Sequence, residues 1–317
     1  MAGSIKNWTR KVILQKVEVT EGTDSAPVVA TDALQVLNYQ PQFMDAEGKV
    51  RNIEKAYLGA NPTLLSGFRR GATYEMEMHG GGVVAGTTVP PWMKALRPAG
   101  FDAGVVTGAN SVVQKPLSDP ISVTHWGYLD DLLLKTIGAR ASFGFTVEDD
   151  DFPRFLITLL GRAPATLAEQ AAPGNPTIAG YVDPVLASSE NTTFVLDGYA
   201  AALRSWNMTN GADLQFRSLI GPADRVIMRE RPFSGTIVIR VPDLTAKDYF
   251  TKIRPGTTMA AQLVHGNVAG NIVQIDTPKL QITGNVTIDD EAGEAMATIP
   301  VTALPVAGND ELVLTSK

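Results

Sequence analysis

Ala72-Thr73-Tyr74-Glu75-Met76-Glu77-Met78 alternates apolar and polar side chains without a break. A period of two sets Tyr74, Met76 and Met78 on one face of an extended segment and Glu75 and Glu77 on the other, as in a half-buried β-strand. A counterpart, Gly235-Thr236-Ile237-Val238-Ile239-Arg240-Val241, stands in the second half of the chain. Working outward, the flanks match too. Upstream of the first strand lie Tyr57-Leu58-Gly59-Ala60-Asn61-Pro62 and Arg69-Arg70; upstream of the second lie Leu219-Ile220-Gly221-Pro222-Ala223 and Arg229 to Arg231. Downstream, a short helical segment leaves through Arg97-Pro98 and again through Arg254-Pro255. Val123-Thr124-His125 is matched by Leu263-Val264-His265. Strands Phe143–Val147 and Val286–Ile288 each run into acidic residues, Glu148-Asp149-Asp150 and Asp289-Asp290-Glu291, and each half closes on an apolar strand, Phe155–Leu160 or Ala297–Ala303. Matches in one order over a domain-sized period indicate an internal duplication, and hence two like domains rather than a solenoid.

The remaining pattern is dominated by strands. Lys11–Val19, Asp131–Ile137, Ala141–Val147, Thr192–Leu196, Leu203–Met208 and Leu214–Leu219 read as extended segments, with Gly138 and the acidic turn at Glu148–Asp151 as breaks. Helix signals are few. Pro90–Arg97 starts and ends on proline, and Asp243–Arg254 has an N-cap aspartate and a Pro255-Gly256 stop. One short helix per half among strands predicts a mainly β, α+β chain. The expected organisation is an N-terminal arm and loop (1–30), a first β domain (31–165) with a long loop at 102–119, an Ala/Pro/Gly/Ser-rich linker (166–191) and a second β domain (192–317).

Composition narrows the function. The chain has 317 residues, 44% hydrophobic and 19% charged, which suits a globular protein. It has no cysteine, so disulfides and thiolate metal sites are excluded. The start, Met1–Asn7, lacks the apolar core of a signal peptide. No apolar run approaches the roughly 20 residues that span a bilayer, and no membrane partner is expected. Net charge is −6, from 27 basic and 33 acidic residues. A protein that grips nucleic acid needs a Lys/Arg surplus to displace condensed counterions, so tight DNA binding is disfavoured, while contact with DNA without adhesion is not.

No motif carries catalysis. His79-Gly80-Gly81-Gly82 resembles an esterase oxyanion loop, but the chain has no Gly-X-Ser-X-Gly elbow. The three histidines, His79, His125 and His265, are too far apart in sequence for a zinc signature, and His125 and His265 are expected to be equivalent strand-end residues. Gly80 to Gly86 lacks the Gly-Lys-Ser/Thr end of a phosphate loop. The acidic runs lack the alternating carboxylates and glycine of a calcium loop and are expected to be solvated hairpin tips. No enzyme, cofactor or metal is expected. The face carrying Glu75 and Glu77, with Arg240 on the matching face, is either an ordinary solvent face or the polar lining of a channel.

Gly22-Thr23-Asp24-Ser25-Ala26-Pro27, Tyr57–Pro62, Asn191-Thr192-Thr193-Phe194-Val195-Leu196-Asp197-Gly198-Tyr199 and Ala307-Gly308-Asn309-Asp310-Glu311-Leu312, in this order, resemble the major tail tube proteins of long-tailed bacteriophages over nearly the whole chain. The resemblance implies a structural virion protein. Its fold would be two tandem β-sandwich or half-barrel domains, each with one short helix, whose inner sheets join on assembly into a continuous β-barrel ring. Rings would stack through an N-terminal arm and projecting loops, after assembly in the bacterial host cytoplasm, and DNA would pass through the lumen. Implied partners are further copies of the chain and other tail proteins: tape measure, terminator and distal tail. Unpaired sheet edges are natural docking places for another copy, and ring closure removes them. Two domains per chain predict a trimeric ring with pseudo-sixfold symmetry. The alternatives are a six-chain ring with the second half as decoration, or a β-rich binding module. Candidate channel-lining residues are Glu75, Glu77 and Arg240; candidate ring-to-ring contacts are Lys11, Thr23, Asp24, Val105 and Asn110.

Overall fold

The computed structural model describes residues 5–82, 89–108, 110–176, 178, 180–221 and 224–317. Pro222-Ala223 of the repeat, Gly86 of the glycine run and residues 1–4 of the arm lie outside them. The chain is mainly β. Among the described residues, nineteen strands form one hydrogen-bonded network, and Leu214–Arg217 with Arg225–Met228 make a separate ribbon.

Each half is a sandwich of an outer and an inner sheet, and the two halves repeat one pairing order. In the first, the outer sheet runs Ala33–Leu34, Lys11–Val17, Val123–Leu129, the start of Leu132–Glu148, then Ala168–Glu169. In the second it runs Tyr199–Ala200, Thr192–Leu196, Met259–His265, Val273–Ile282, Val313–Ser316. The inner sheet of the first half runs Leu37–Val50, Thr63–Glu77, Arg154–Arg162, then the end of Leu132–Glu148. That of the second runs Leu203–Thr209, Ser234–Arg240, Glu294–Ala303, Thr287–Glu291. The strand Lys11–Val17, read from sequence as an arm, is therefore the structural counterpart of Thr192–Leu196 and is paired along its full length.

Leu132–Glu148 serves both sheets of its half. It bends at Gly138, whose φ of +60° is costly for a residue with a side chain. The buried carboxylate of Glu18 fixes the bend. It accepts hydrogen bonds from Gly138 N (2.7 Å), Thr124 Oγ1 (2.9 Å), Ser122 Oγ (2.8 Å) and Gly22 N (2.7 Å), which offsets the cost of burying it.

The helix read at Pro90–Arg97 forms as Pro91–Ala95 followed by a 3-10 turn, Arg97–Ala99. The helix expected at Asp243–Arg254 does not form beyond a 3-10 turn at Phe250–Lys252. Asp243 accepts from Thr245 N (2.9 Å), and Asp248 accepts from Phe250 N (2.8 Å) and Thr251 N (3.1 Å). Asp243 thus caps a single turn, while Asp248, inside the segment, captures backbone N–H groups that a continuing helix would use and breaks the segment into turns.

Of two apolar clusters among the described residues, the smaller gathers Leu14, Ala33, Tyr128 and Leu133, and the larger crosses the boundary between the halves. Its aromatic rings touch in series: Trp92–Phe155 (4.8 Å), Phe155–Phe143 (5.8 Å), Phe143–Phe145 (6.4 Å), Phe145–Trp206 (5.1 Å) and Trp206–Phe194 (5.4 Å). The long first-half loop is a strap across the same boundary. It folds as Val105–Thr107 and Ser111–Gln114, and the latter extends the second outer sheet by pairing with Val313–Ser316.

Candidate functional site

The end of the first inner sheet pairs directly with the start of the second. Glu148, Val147, Thr146, Phe145 and Gly144 stand opposite Ser205, Trp206, Asn207, Met208 and Thr209. Buried Asn210 extends the seam, accepting from Phe143 N (2.9 Å) while its own backbone N–H donates to Phe143 O (2.8 Å). Among the described residues, eight inner strands thus form one sheet within a single chain. Its two outermost strands, Leu37–Val50 and Thr287–Glu291, each have one neighbour among the described residues, on the inward side.

Alternation makes one face of this sheet the core face, with Tyr74, Met76, Phe143, Phe145, Trp206, Ile237, Ile239 and Ile299 buried. The opposite face is bare and rich in short polar side chains. One row runs Thr73, Thr158, Ser142; another crosses the seam as Thr146, Asn207, Thr236, with Thr236 Oγ1 donating to Asn207 Oδ1 (2.9 Å). Two ion pairs lie on this face, and Glu77 and Asp289 share it without an ion pair among the described residues. Arg154 lies 3.4 Å from Glu75, and Arg240 lies 3.5 Å from Glu294. Tyr74 and Ile237 take equivalent places in the pairing order, opposite Ile157 and Ile299, so Glu75 corresponds to Val238 and Glu77 to Arg240. The structure brings the three lining candidates onto one face, as the period of two requires.

The contact candidates scatter. Lys11 Nζ donates to Tyr39 O (2.9 Å). Thr23 is exposed in the loop before residue 27, and Asp24 accepts from Lys135 Nζ (2.9 Å) and Trp126 Nε1 (3.1 Å). Val105 is exposed on the outer strand of the strap, and Asn110 is exposed at its turn. The surface that the sequence reading missed is the hairpin Leu37–Val50/Thr63–Glu77. Its distal part exposes Phe43, Met44, Val50, Leu58, Leu64 and Leu65, a large apolar patch for a soluble surface. The signal was present in Leu64-Leu65 flanking the Tyr57–Pro62 turn.

The other motifs have structural work. His79 is buried, its ring edge meets Tyr181 at 4.9 Å, and Trp92 Nε1 donates to its carbonyl (2.7 Å). Gly80 N donates to Asn271 Oδ1 (2.9 Å), and a Cβ at Gly80 would lie 2.0 Å from Gly270 O, so the glycine run is a close joint between the halves. His125 and His265 do not take equivalent places. His125 is third in its strand and opposite Thr136, whereas His265 is last in its strand and opposite Val273. The tip Glu148–Asp151 is docked rather than free: Asp149 N donates to Arg204 O (3.0 Å) and Asp150 N to Ala187 O (2.8 Å). Among the described residues, no group of three His, Asp or Glu could hold a metal ion, and no helix is long and apolar enough to cross a membrane.

The family model described as Phage tail tube protein matches residues 9–303. No curated protein matches the chain.

Proposed function

The chain belongs to the phage tail tube protein family, structural and non-enzymatic components of the virion tail, and from that premise we propose that three copies close into a ring around a bore lined by the bare face of the inner sheet. The observation that carries this reading is the seam between Gly144–Glu148 and Ser205–Thr209. One half already hands its last inner strand to the first inner strand of another half with the same pairing order. Repeating that step between chains pairs Thr287–Glu291 of one copy with Leu37–Val50 of the next. This head-to-tail contact closes if the rotation is right, and it removes both free edges. Six like halves then make the ring. The continuous inner sheet favours this over a six-chain ring in which the second half is a decoration, because the second half contributes as many inner strands as the first.

The lining suits transit. A bore of threonine, serine and asparagine, with Glu75, Glu77, Asp289 and Glu294 against Arg154 and Arg240, offers no Lys/Arg surplus to exchange for counterions, so DNA slides without being held. Ring stacking is assigned to the projecting hairpin and its exposed Leu58, Leu64 and Leu65, with Thr23, Asp24, Val105 and Asn110 as further contacts. Negative-stain images and native mass of the purified protein test the reading. Rings of three chains that stack into tubes are expected; protein that stays monomeric at every concentration and salt tried overturns it.

A further inference from the structure

Two cavities occupy corresponding places in the two halves. One, of about 520 Å3, is lined by Thr192–Val195, by the entry to the next strand at residues 199–203, and by Val147-Glu148-Asp149. The other, of about 680 Å3, is lined by Lys11–Ile13, by Leu34–Val36 and by Asn38–Gln40. The correspondence follows from the pairing, since Ile13 stands opposite Leu34 as Val195 stands opposite Ala200. The smaller cavity is walled on one side by the acidic tip that ends the first half's inner sheet, whereas the larger one is completed by Trp8, Thr9, Asn175, Pro176 and Ile178, none of them acidic, which leaves a gap where the acidic tip would stand. The edge strand beside that gap, Leu37–Val50, is one of the two outermost strands of the inner sheet, with one neighbour among the described residues.

Charge marks the same gap. In the second half the hydrogen bond and charge of Glu291, 2.7 Å from Arg204, favour its protonated form, and the nearby charges of Asp149 and Glu148 add to this. In the first half the cation at the cavity is Lys11. Its Nζ sits 4.2 Å from the centroid of the Trp8 ring and donates to a carbonyl, with no carboxylate within ion-pair distance among the described residues. Burial lowers its proton affinity, which a carboxylate neighbour would restore. At the far edge of the chain, Asp289-Asp290-Glu291 forms an exposed tip closed by Ala292 and Gly293, both at positive φ, as in a two-residue type I′ hairpin.

We propose that the Lys11–Tyr39 cavity is completed by the acidic tip Asp289–Glu291 of a second copy, seated in the register that the seam displays within one chain, with Asp290 beside Lys11. The proposal deepens the ring reading and rests on it. Gln40 and Asn207 correspond, lying opposite Thr73 and Thr236. Thr146 and Asp289 correspond, lying opposite Arg154 and Met296. The contact Asn207–Thr146 within the chain therefore becomes Gln40–Asp289 between chains. Asp290 takes the place of Val147, which lines the smaller cavity, while Glu291 is held by Arg204. Lys11 thereby moves from a ring-to-ring contact to a contact within the ring.

The chain has no cysteine, so an introduced pair reports only itself. A Gln40→Cys/Asp289→Cys variant that unfolds at the wild-type temperature is expected to form disulfides between copies on mild oxidation, ending at three linked chains and reversed by reductant. Separately, Lys11→Glu and Asp290→Lys are each expected to raise the concentration needed for rings by about tenfold, and the Lys11→Glu/Asp290→Lys double variant to restore most of it. If the wild type forms rings but the cysteine pair never links copies and the single charge reversals are silent, this inference falls and the ring stands. If the wild type forms no rings, both fall.

Discussion

Both halves interrupt their first inner hairpin with an extension, and the two extensions end differently. In the first half, Leu37–Val50 and Thr63–Glu77 run on past the sheet and carry exposed apolar side chains into solvent. In the second, the ribbon Leu214–Arg217/Arg225–Met228 folds back onto the first half. Val226 is fully buried there, its carbonyl accepts from the Arg140 guanidinium, and Arg231 reaches Leu117 O and Glu311. One extension has found its partner inside the chain and the other has not. The same contrast holds for the sheet itself: its middle seam is satisfied and its two margins are bare. A duplicated unit thus displays its contact once in finished form and once as two open ends.

The sharpest way to break the comparison is at the free extension. Leu64→Lys with Leu65→Lys is expected to abolish tubes in electron micrographs while leaving rings and the monomer's unfolding temperature unchanged, because both side chains are already exposed. Loss of rings as well would mean that the hairpin serves the ring. At the satisfied seam, Trp206→Ala removes a fully buried ring between Phe145 and Phe194 and should cost about 3–5 kcal/mol in denaturant unfolding. The transition should remain single, since the core is shared; two separate transitions would show that the halves fold independently. Glu18→Ala strips the Gly138 bend of its acceptor and should cost about 2–3 kcal/mol, with near-neutral effect if water replaces the carboxylate.

A smaller, pH-dependent effect compares the halves through their histidines. Burial depresses the proton affinity of both His125 and His265 to about 4, from the usual 6.5. Below pH 6.5 the unfolded chain takes up protons that the folded chain refuses, so stability is complete above that pH and is lost as pH falls towards 4. The slope should reach about 1.4 kcal/mol per pH unit for each histidine, and His125→Gln or His265→Gln should each remove one share of it. The least effect is expected from Arg240→Ala, whose exposed pair with Glu294 is worth under about 1 kcal/mol in thermal unfolding.

Much of this was legible before any coordinates. The period of two at Ala72–Met78 gave the strand, its buried face and the polar face that bears Glu75 and Glu77. The ordered matches gave the repeat, although the His125/His265 match was a coincidence of residue type, because pairing order sets them at different points along their strands. The helix at Asp243–Arg254 was read from its N-cap aspartate and its Pro255-Gly256 stop, and Asp248 in the middle of the segment, which captures Phe250 N and Thr251 N, was not weighed against them. The strap was read as a long loop at 102–119, since nothing local to Ser111–Gln114 specifies that its partner is Val313–Ser316.

By itself the chain determined which residues extend, which face of each strand is apolar, and that the unit occurs twice. These are local properties, set by backbone sterics and by the spacing of side chains along one strand. Only the tertiary structure decided that the two inner sheets fuse at Gly144–Glu148 and Ser205–Thr209, and that Leu37–Val50 and Thr287–Glu291 are left as margins. Strand pairing joins backbone groups that every residue but proline carries, so the partner of an edge is selected by packing across the whole sandwich rather than by the letters of the strand.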